Sequence, residues 1–398
     1  METTESNRKP LKILIALQYY LPHRTGVPLH IQRVAEALVE RGHEVTVVAA
    51  RHSLDLPREE ETINGVRIVR LWAALRISRG MIMPAYPWAL WFFLRTYDVV
   101  WLSTPMLETS LAAVMARFAH RGLISTHHGD LVLPKGWFNR FVTWFTWWHY
   151  QFMAKRADSL IAYSQDYADH SYYLRPFAEK VRVISPPIRI PQPDPDGAKK
   201  LHDRWSVNGD PVIGFAGRFV REKRPDLAIQ ALDVIKEKYP HVRLVFAGTY
   251  DIKYEDTWNN AQDLLRHYEE HIVFLGELDD ERELANYYAA LDLLLLTSDT
   301  ECFALVQVEA MMCGTPVVMT DTPGGRVPVT KTGMGKLAPR GDAQAIGRTV
   351  LEVMENREQY MKSREEIEAI FNLEHTVDAY ETALYDAAEA ARKRYKRA

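Results

Sequence analysis

Cysteine is nearly absent from this sequence, with two among 398 residues. Cys302 and Cys313 cannot build a disulfide framework, and their neighbours do not show metal-ligand spacing, which fits a reducing compartment. Long apolar runs are missing as well. None approaches the roughly 20 residues that a helix needs to span a bilayer. The two nearest, Met81–Leu94 and Phe141–Ala154, are broken by Pro84 and Pro87 or are aromatic rather than aliphatic. Met1–Pro10 is polar and has no apolar centre, so no secretory signal is expected there. Charge of one sign is lacking too. A formal net charge of -3 leaves no global basic field for nucleic acid, and any anion must be bound locally.

What is present reads as globular: 47% hydrophobic and 25% charged residues, in a length suited to two domains. Short β-branched or leucine-rich runs alternate with longer amphipathic stretches. Strands are expected at Lys12–Leu17, Glu44–Ala50, Val66–Trp72, Val99–Ser103, Leu123–His128, Ser159–Ser164 and Val181–Ser185. A proline-dense segment, Ser185–Gly197, reads as an extended linker. The alternation then restarts, with strands at Pro211–Gly217, Val242–Gly248, Ile272–Gly276, Leu293–Thr297 and Pro316–Thr320. This pattern predicts α/β architecture: two Rossmann-like domains with mostly parallel sheets, facing across a cleft. The expected domains are 1–187, 188–375 and a charged C-terminal helix, 376–398, which could pack back on the first domain. Ligands of such sheets bind at the carboxyl ends of strands.

The densest constellation is Glu301-Cys-Phe-Ala-Leu-Val-Gln-Val-Glu309-Ala-Met-Met-Cys-Gly-Thr-Pro-Val-Val. A strand ends before it and a helix starts near Ala304. The backbone N–H groups of Phe303, Ala304 and Leu305 would then face an anion such as diphosphate. Glu301 and Glu309 are suited to sugar or ribose diols, because carboxylates accept bidentate hydrogen bonds. Taken alone, the two are as well explained as a residue near a helix cap and a solvated helical carboxylate. Arg218 and Lys223 follow another strand, where cations at a helix start are unfavourable unless an anion arrives.

This Glu-x7-Glu motif, followed by Ala-Met-x-x-Gly-Thr-Pro-Val-Val, resembles the signature of the retaining glycosyltransferases of family 4 (glycosyl transferases group 1), which have the GT-B fold. The resemblance covers nearly the whole chain. Leu21-Pro-His-Arg-Thr-Gly26 and Glu36-Ala-Leu-Val-Glu-Arg-Gly-His43 look like that family's glycine loop and first helix. Phe215-Ala-Gly217-Arg218 and Glu222-Lys223-Arg224-Pro225 are similar to its diphosphate clamp.

The resemblance implies a hexosyltransferase that uses a nucleotide-diphosphate sugar, such as a UDP- or GDP-sugar. Arg218, Lys223 and the Phe303–Leu305 N–H groups would hold the diphosphate, Glu309 the ribose and Glu301 the sugar. Gly217 and Gly276 would flank the nucleotide, with the base near residues 276–278, and Gly26 would let backbone approach a phosphate. His128, in Ser125-Thr-His127-His128-Gly129-Asp130, matches the histidine placed near the donor sugar, with His127 as fallback. Asp130 is a candidate to orient the acceptor hydroxyl. No Asp-x-Asp metal motif is seen in the clamp region, so no metal site and no obligatory cofactor are expected.

The sequence also departs from the pattern. The usual glycine in the Glu-x7-Glu loop is Ala304, the first-domain loop has Thr25-Gly26, the linker lacks its usual turn, and Gly324-Gly325-Arg326-Val-Pro lacks an acidic residue after proline. These departures put substrate identity in doubt more than activity.

Trp137, Phe141, Trp144, Phe145, Trp148 and Phe152 recur at helical spacing, with Lys135, Arg140, Lys155 and Arg156 around them. Such a helix suits a membrane surface, and equally a helix packed on the first sheet. Periodicity does not separate the two. The acceptor is left open between a membrane lipid, a lipid-linked glycan and a small polyol, and the protein is expected in the cytoplasm, with the inner membrane face as an option. The alternatives are a nucleotide-sugar epimerase or hydrolase of the same fold, or a silent sugar-nucleotide-binding or membrane-scaffold protein. A dinucleotide oxidoreductase is excluded by the missing Gly-x-Gly-x-x-Gly.

Overall fold

The computed structural model describes residues 8–23, 25–77, 80–104, 106, 108–131, 136–252 and 255–397. The chain divides into two compact units: residues 1–187 with 373–398, and residues 188–372.

The first unit is built on eight strands. In chain order these are β1 (Lys12–Ala16), β2 (Glu44–Arg51), β3 (Glu61–Ile63), β4 (Val66–Trp72), β7 (Val99–Thr104), β8 (Gly122–His127), β9 (Ser159–Ala162) and β10 (Val181–Val183), with β5 (Leu75–Ile77) and β6 (Gly80–Ile82) forming a separate hairpin. The sheet order is β10-β9-β8-β7-β1-β2-β4-β3. Its ladders are parallel, apart from the antiparallel β3–β4 edge. β7 and β8 are buried along their whole length, as a sheet covered on both faces requires.

The second unit has β11 (Val212–Ala216), β12 (Arg243–Ala247), β13 (Ile272–Gly276), β14 (Leu293–Leu296), β15 (Val317–Thr320) and β16 (Gly335–Ala338), ordered β13-β12-β11-β14-β15-β16 and all parallel. The strand direction of winding reverses between β11 and β14, so the crevice at their carboxyl ends is the topological switch point of this sheet. In the first unit the reversal lies between β1 and β7.

The C-terminal helix, Leu373–Arg397, belongs to the first unit. Val377, Tyr380, Ala383, Leu384 and Ala387 enter the same buried cluster as Ile13, Ile31 and Trp101. It crosses β8 so closely that a Cβ on Gly122 would lie 2.6 Å from the Ala387 carbonyl carbon, which makes glycine obligatory there. Arg41 adds ion pairs to Glu374, Asp378 and Glu381 at 2.8, 2.7 and 2.6 Å. His43 accepts from the Leu11 N–H through Nδ1, so its Nε2–H donates to Glu381 at 2.9 Å.

One expectation is corrected. The linker is shorter than Ser185–Gly197: Asp194 caps a helix, Pro195–Trp205, accepting from the Asp196 and Gly197 N–H groups. Pro195 occupies the first helical turn, where its missing N–H costs nothing, so a residue that reads as a linker breaker is a helix starter. Separately, the aromatic stripe of Trp137–Arg156, whose orientation periodicity leaves open, does not pack on the sheet. That helix buries Thr146, Tyr150, Met153 and Ala154, while Trp137, Phe141, Trp144, Phe145 and Trp148 are exposed. Lys135, taken as one of its basic flanks, lies outside the described residues.

Candidate functional site

In the second unit, the residues after β11 and those after β14 meet at the switch point. Gly217 follows β11 with φ +146°, a left-handed value that favours glycine. Gly248, at the end of β12, lies directly beside it: a Cβ there would lie 2.3 Å from the Gly217 carbonyl oxygen. Gly248 N–H donates in turn to the Gly276 carbonyl at 2.7 Å, so three glycines line up across the ends of β11, β12 and β13. This row leaves bare backbone beside the crevice.

The chain then forms a short 3₁₀ turn, Arg221–Lys223, stapled to the end of β14. Thr297 Oγ1 donates to the Lys223 and Arg224 carbonyls at 3.1 and 2.7 Å, and Asp299 N–H donates to the Glu222 carbonyl at 2.9 Å. The staple places the Lys223 ammonium against the Glu301 carboxylate, which also accepts from Ser298 Oγ at 2.9 Å. Arg218 reaches Glu222 at 3.3 Å with its guanidinium about one third exposed. Two cations, Arg218 and Lys223, each paired with a carboxylate, therefore lie where the ends of β11 and β14 meet.

Beyond Glu301 the loop folds tightly. Phe303 is buried against Phe371, with ring centroids 5.5 Å apart. Ala304 adopts φ +59°, ψ +80°, and the helix Leu305–Met312 begins at the next residue. The expected glycine is thus replaced by alanine at a backbone conformation in which a side chain is strained. Gln307 ties this loop to its neighbour: its Nε2 donates to Phe303 O at 3.3 Å and to Gly325 O at 2.7 Å. Gly324 packs so closely that a Cβ would lie 2.5 Å from the Cys302 carbonyl oxygen. Glu309, one turn into the helix, is buried and accepts from Tyr288 OH at 3.3 Å. Burial, and secondarily Glu301, push the Cys302 thiol up to about 12, which removes it as a nucleophile at neutral pH.

In the first unit, His128 follows the last residue of β8. Its Nδ1 is hydrogen-bonded to Tyr163 OH, and its buried Nε2 has no partner. Burial, then neighbouring His127, lower its pKa to about 3, so the ring is neutral. The Tyr163 hydroxyl can donate to Nδ1 or accept from it, so Nε2 is a donor in one tautomer and an acceptor in the other. Behind it lies an aromatic stack. His30 meets His128 edge to face at 5.5 Å and bonds Tyr380 OH at 2.9 Å; Tyr380 stacks on Trp101 at 4.6 Å. The C-terminal helix thereby buttresses the His128 loop. Gly26 opens the first helix, Gly26–Glu40, just after β1.

Asp130 is tied into the first unit through both carboxylate oxygens. Its Oδ1 accepts from Ser171 and bonds His127 Nε2 at 2.8 Å, and its Oδ2 accepts from Tyr172 N–H at 3.0 Å. Both oxygens are engaged by the first unit's own framework, so Asp130 also holds the loop that follows β8. His127, the fallback, is likewise fully buried in that arrangement.

Sequence reasoning missed Ser298, Gln307, Gly248 and Tyr163. Gln307 lies inside the motif and Ser298 three residues before it, and both were legible as polar residues near Glu301. Gly248 and Tyr163 act through strand neighbours, which only the sheet order reveals.

Residues 199–369 match the family model of the glycosyl transferases group 1, and residues 25–187 match the glycosyl transferase 4-like domain. The chain is 25% identical over 346 residues to the phosphatidyl-myo-inositol mannosyltransferase of Mycobacterium leprae, covering 84% of this chain and 86% of that one. It is 25% identical over 363 residues to the GDP-mannose-dependent alpha-mannosyltransferase of Mycobacterium tuberculosis, covering 88% and 90%. Among solved structures, sucrose-phosphate synthase from Thermosynechococcus elongatus aligns with a TM-score of 0.74 at 22% identity, over 96% of this chain and 100% of that one.

Proposed function

The chain belongs to the group 1 glycosyl transferases and has the GT-B fold, and from that premise we propose that it moves a hexosyl group from a nucleotide-diphosphate sugar to a hydroxyl acceptor with retention of configuration. The observation that carries the donor assignment is the meeting of Arg218, Lys223 and Glu301 at the β11/β14 switch point. Cations fixed at that crevice stabilise the charge that develops on a departing diphosphate. The Leu305–Met312 helix begins four residues after Glu301, and a helix N-terminus favours an anion.

Lys223 exchanges its contact with Glu301 for a phosphate oxygen, and Glu301 turns to hydroxyls of the transferred sugar. Glu309 takes the ribose diol, and the glycine row Gly217–Gly248–Gly276 leaves space for the nucleoside. In the first unit the neutral His128 ring keeps Nε2 for a hydroxyl group. The bond from the anomeric carbon to the phosphate oxygen breaks with its electron pair going to the diphosphate. The acceptor oxygen bonds the same carbon from the same face and passes its proton to that diphosphate oxygen. Two fixed cations supply the electrostatic work that a metal supplies elsewhere, so no divalent ion is required.

The acceptor class is a hydroxyl compound, with lipid-linked hydroxyls favoured by the name of the Mycobacterium leprae relative. The test is release of nucleoside diphosphate from a panel of UDP- and GDP-sugars, with and without hydroxyl acceptors, and proton NMR of the product anomer. Acceptor-dependent release with an unchanged anomer is expected. Release without any acceptor would identify a hydrolase, and an inverted anomer would overturn the front-face mechanism.

A further inference from the structure

The exposed rings of the Trp137–Arg156 helix are part of a larger surface. The helix Thr109–Phe118 lies alongside it: Ser110 bonds His149, and the Arg117 guanidinium reaches the Arg156 carbonyl. Ser110, Val114 and Phe118 fall on one stripe of that helix, and Val114 and Phe118 are exposed, Phe118 at 76%. The seam is flanked by rings of the longer helix, with Phe145 4.2 Å and Trp148 5.0 Å from His149, and Trp148 stacked on Phe152.

A third helix, Tyr86–Leu94, repeats the arrangement. Trp88, Trp91 and Phe92 form its exposed stripe, with Trp88 at 73%, while Tyr86, Leu90, Phe93 and Leu94 are buried. Arg121, just past the middle helix, donates to the Leu94 and Arg95 carbonyls at 2.7 and 2.8 Å and ties the two together. Three neighbouring helices of the first unit therefore turn aromatic rings outward. Scattered exposed apolar residues are ordinary, but a run of this many across adjacent helices is not.

Charge selects the occupant. None of the three helices contains Asp or Glu, whereas Arg95, Arg140 and Lys155 are exposed on or beside them. A symmetric contact with a second copy would set this basic patch against itself. An anionic surface complements it, and tryptophan with flanking cations is the composition of groups that lie at headgroup depth. No described helix is long and apolar enough to cross a membrane. The Trp137–Arg156 helix, about 30 Å long, instead offers its length to a plane.

We propose that Tyr86–Leu94, Thr109–Phe118 and Trp137–Arg156 together form a footing on which the first unit lies on an anionic bilayer. The rings of all three helices enter the headgroup region, and Arg95, Arg140 and Lys155 meet lipid phosphates. The footing is independent of the transfer reaction, since none of its residues belongs to the donor clamp.

The experiment is flotation of the full chain with phosphatidylcholine vesicles, with and without phosphatidylglycerol, at two salt concentrations. The protein is expected to float with the anionic vesicles, and to release as salt rises. Trp88→Glu, Phe118→Glu and Trp144→Glu, made singly, are each expected to lower partitioning by roughly ten-fold while leaving nucleoside diphosphate affinity unchanged. That retained affinity certifies the fold and separates failure here from failure of the donor site. Absence of flotation with anionic vesicles overturns the proposal. So does loss from Trp144→Glu alone, which would reduce the footing to a single helix. A stoichiometric dimer that the same substitutions dissolve would assign the surface to a second copy.

Discussion

The Lys223 ammonium rests against the Glu301 carboxylate, two groups 78 positions apart that are joined because the turn after β11 is stapled to the end of β14. In a site built to receive a diphosphate this pairing has a use. It keeps the cation in place and neutralised until an anion displaces the carboxylate, so little reorganisation accompanies the reaction. Lys223→Ala is therefore expected to lower kcat by about two to three orders of magnitude, by analogy with removal of one preorganised donor. Steady-state turnover checks it, with circular dichroism confirming an unchanged fold.

Ala304 gives a stability prediction. Its φ of +59° is a conformation that costs an ordinary residue roughly 1 kcal/mol relative to glycine. Ala304→Gly is expected to raise stability by about that amount, and Ala304→Val to lower it by more, because a β-branched residue tolerates the left-handed region worse. Denaturant midpoints of the two variants decide the point. A destabilised glycine variant would mean that the alanine methyl makes a contact worth more than the strain.

The first unit carries an acid-sensitive element. Burial holds the pKa of His128 at about 3 and that of His30 well below the usual histidine value. The unfolded chain binds those protons more readily, so the contribution of these rings to stability is present above pH about 6.5 and is lost as pH falls toward about 3. His128→Asn is expected to flatten the acid limb of a stability-against-pH profile. An unchanged slope between those limits would show that the ring is solvated.

Metal independence is checked by chelation. With Arg218 and Lys223 supplying the positive charge, turnover in excess EDTA is expected to match the untreated rate. Abolished activity, restored by a divalent ion, would place a metal in the clamp.

Much of this was legible before any coordinates. Runs such as Val66–Trp72 and Ile272–Gly276 have the bounds expected of them, because β-branched and aromatic residues between turn formers leave few alternatives. Motif spacing also placed Glu301 and Glu309 on a loop and in the following helix. What the sequence hid depends on partners distant in the chain. The bonding of Asp130 to Ser171 and Tyr172 crosses 41 and 42 positions, and no local pattern announces it. The Trp-rich helix hid its orientation because a helix with rings nearly all round has no clear apolar face, and it is Thr146, Tyr150, Met153 and Ala154 that face inward. Pro195 was misread because proline both breaks and starts helices, and the capping Asp194 decides which.

The central claim, that the leaving diphosphate is held at the β11/β14 switch point of the second unit, is tested most directly by calorimetric titration of GDP and UDP into the wild-type chain and the Arg218→Ala and Lys223→Ala variants. The account predicts saturable binding of at least one nucleotide by the wild type, weakened by roughly ten-fold or more in each variant, as loss of a charge-assisted contact requires. Equal affinity in all three proteins would contradict it.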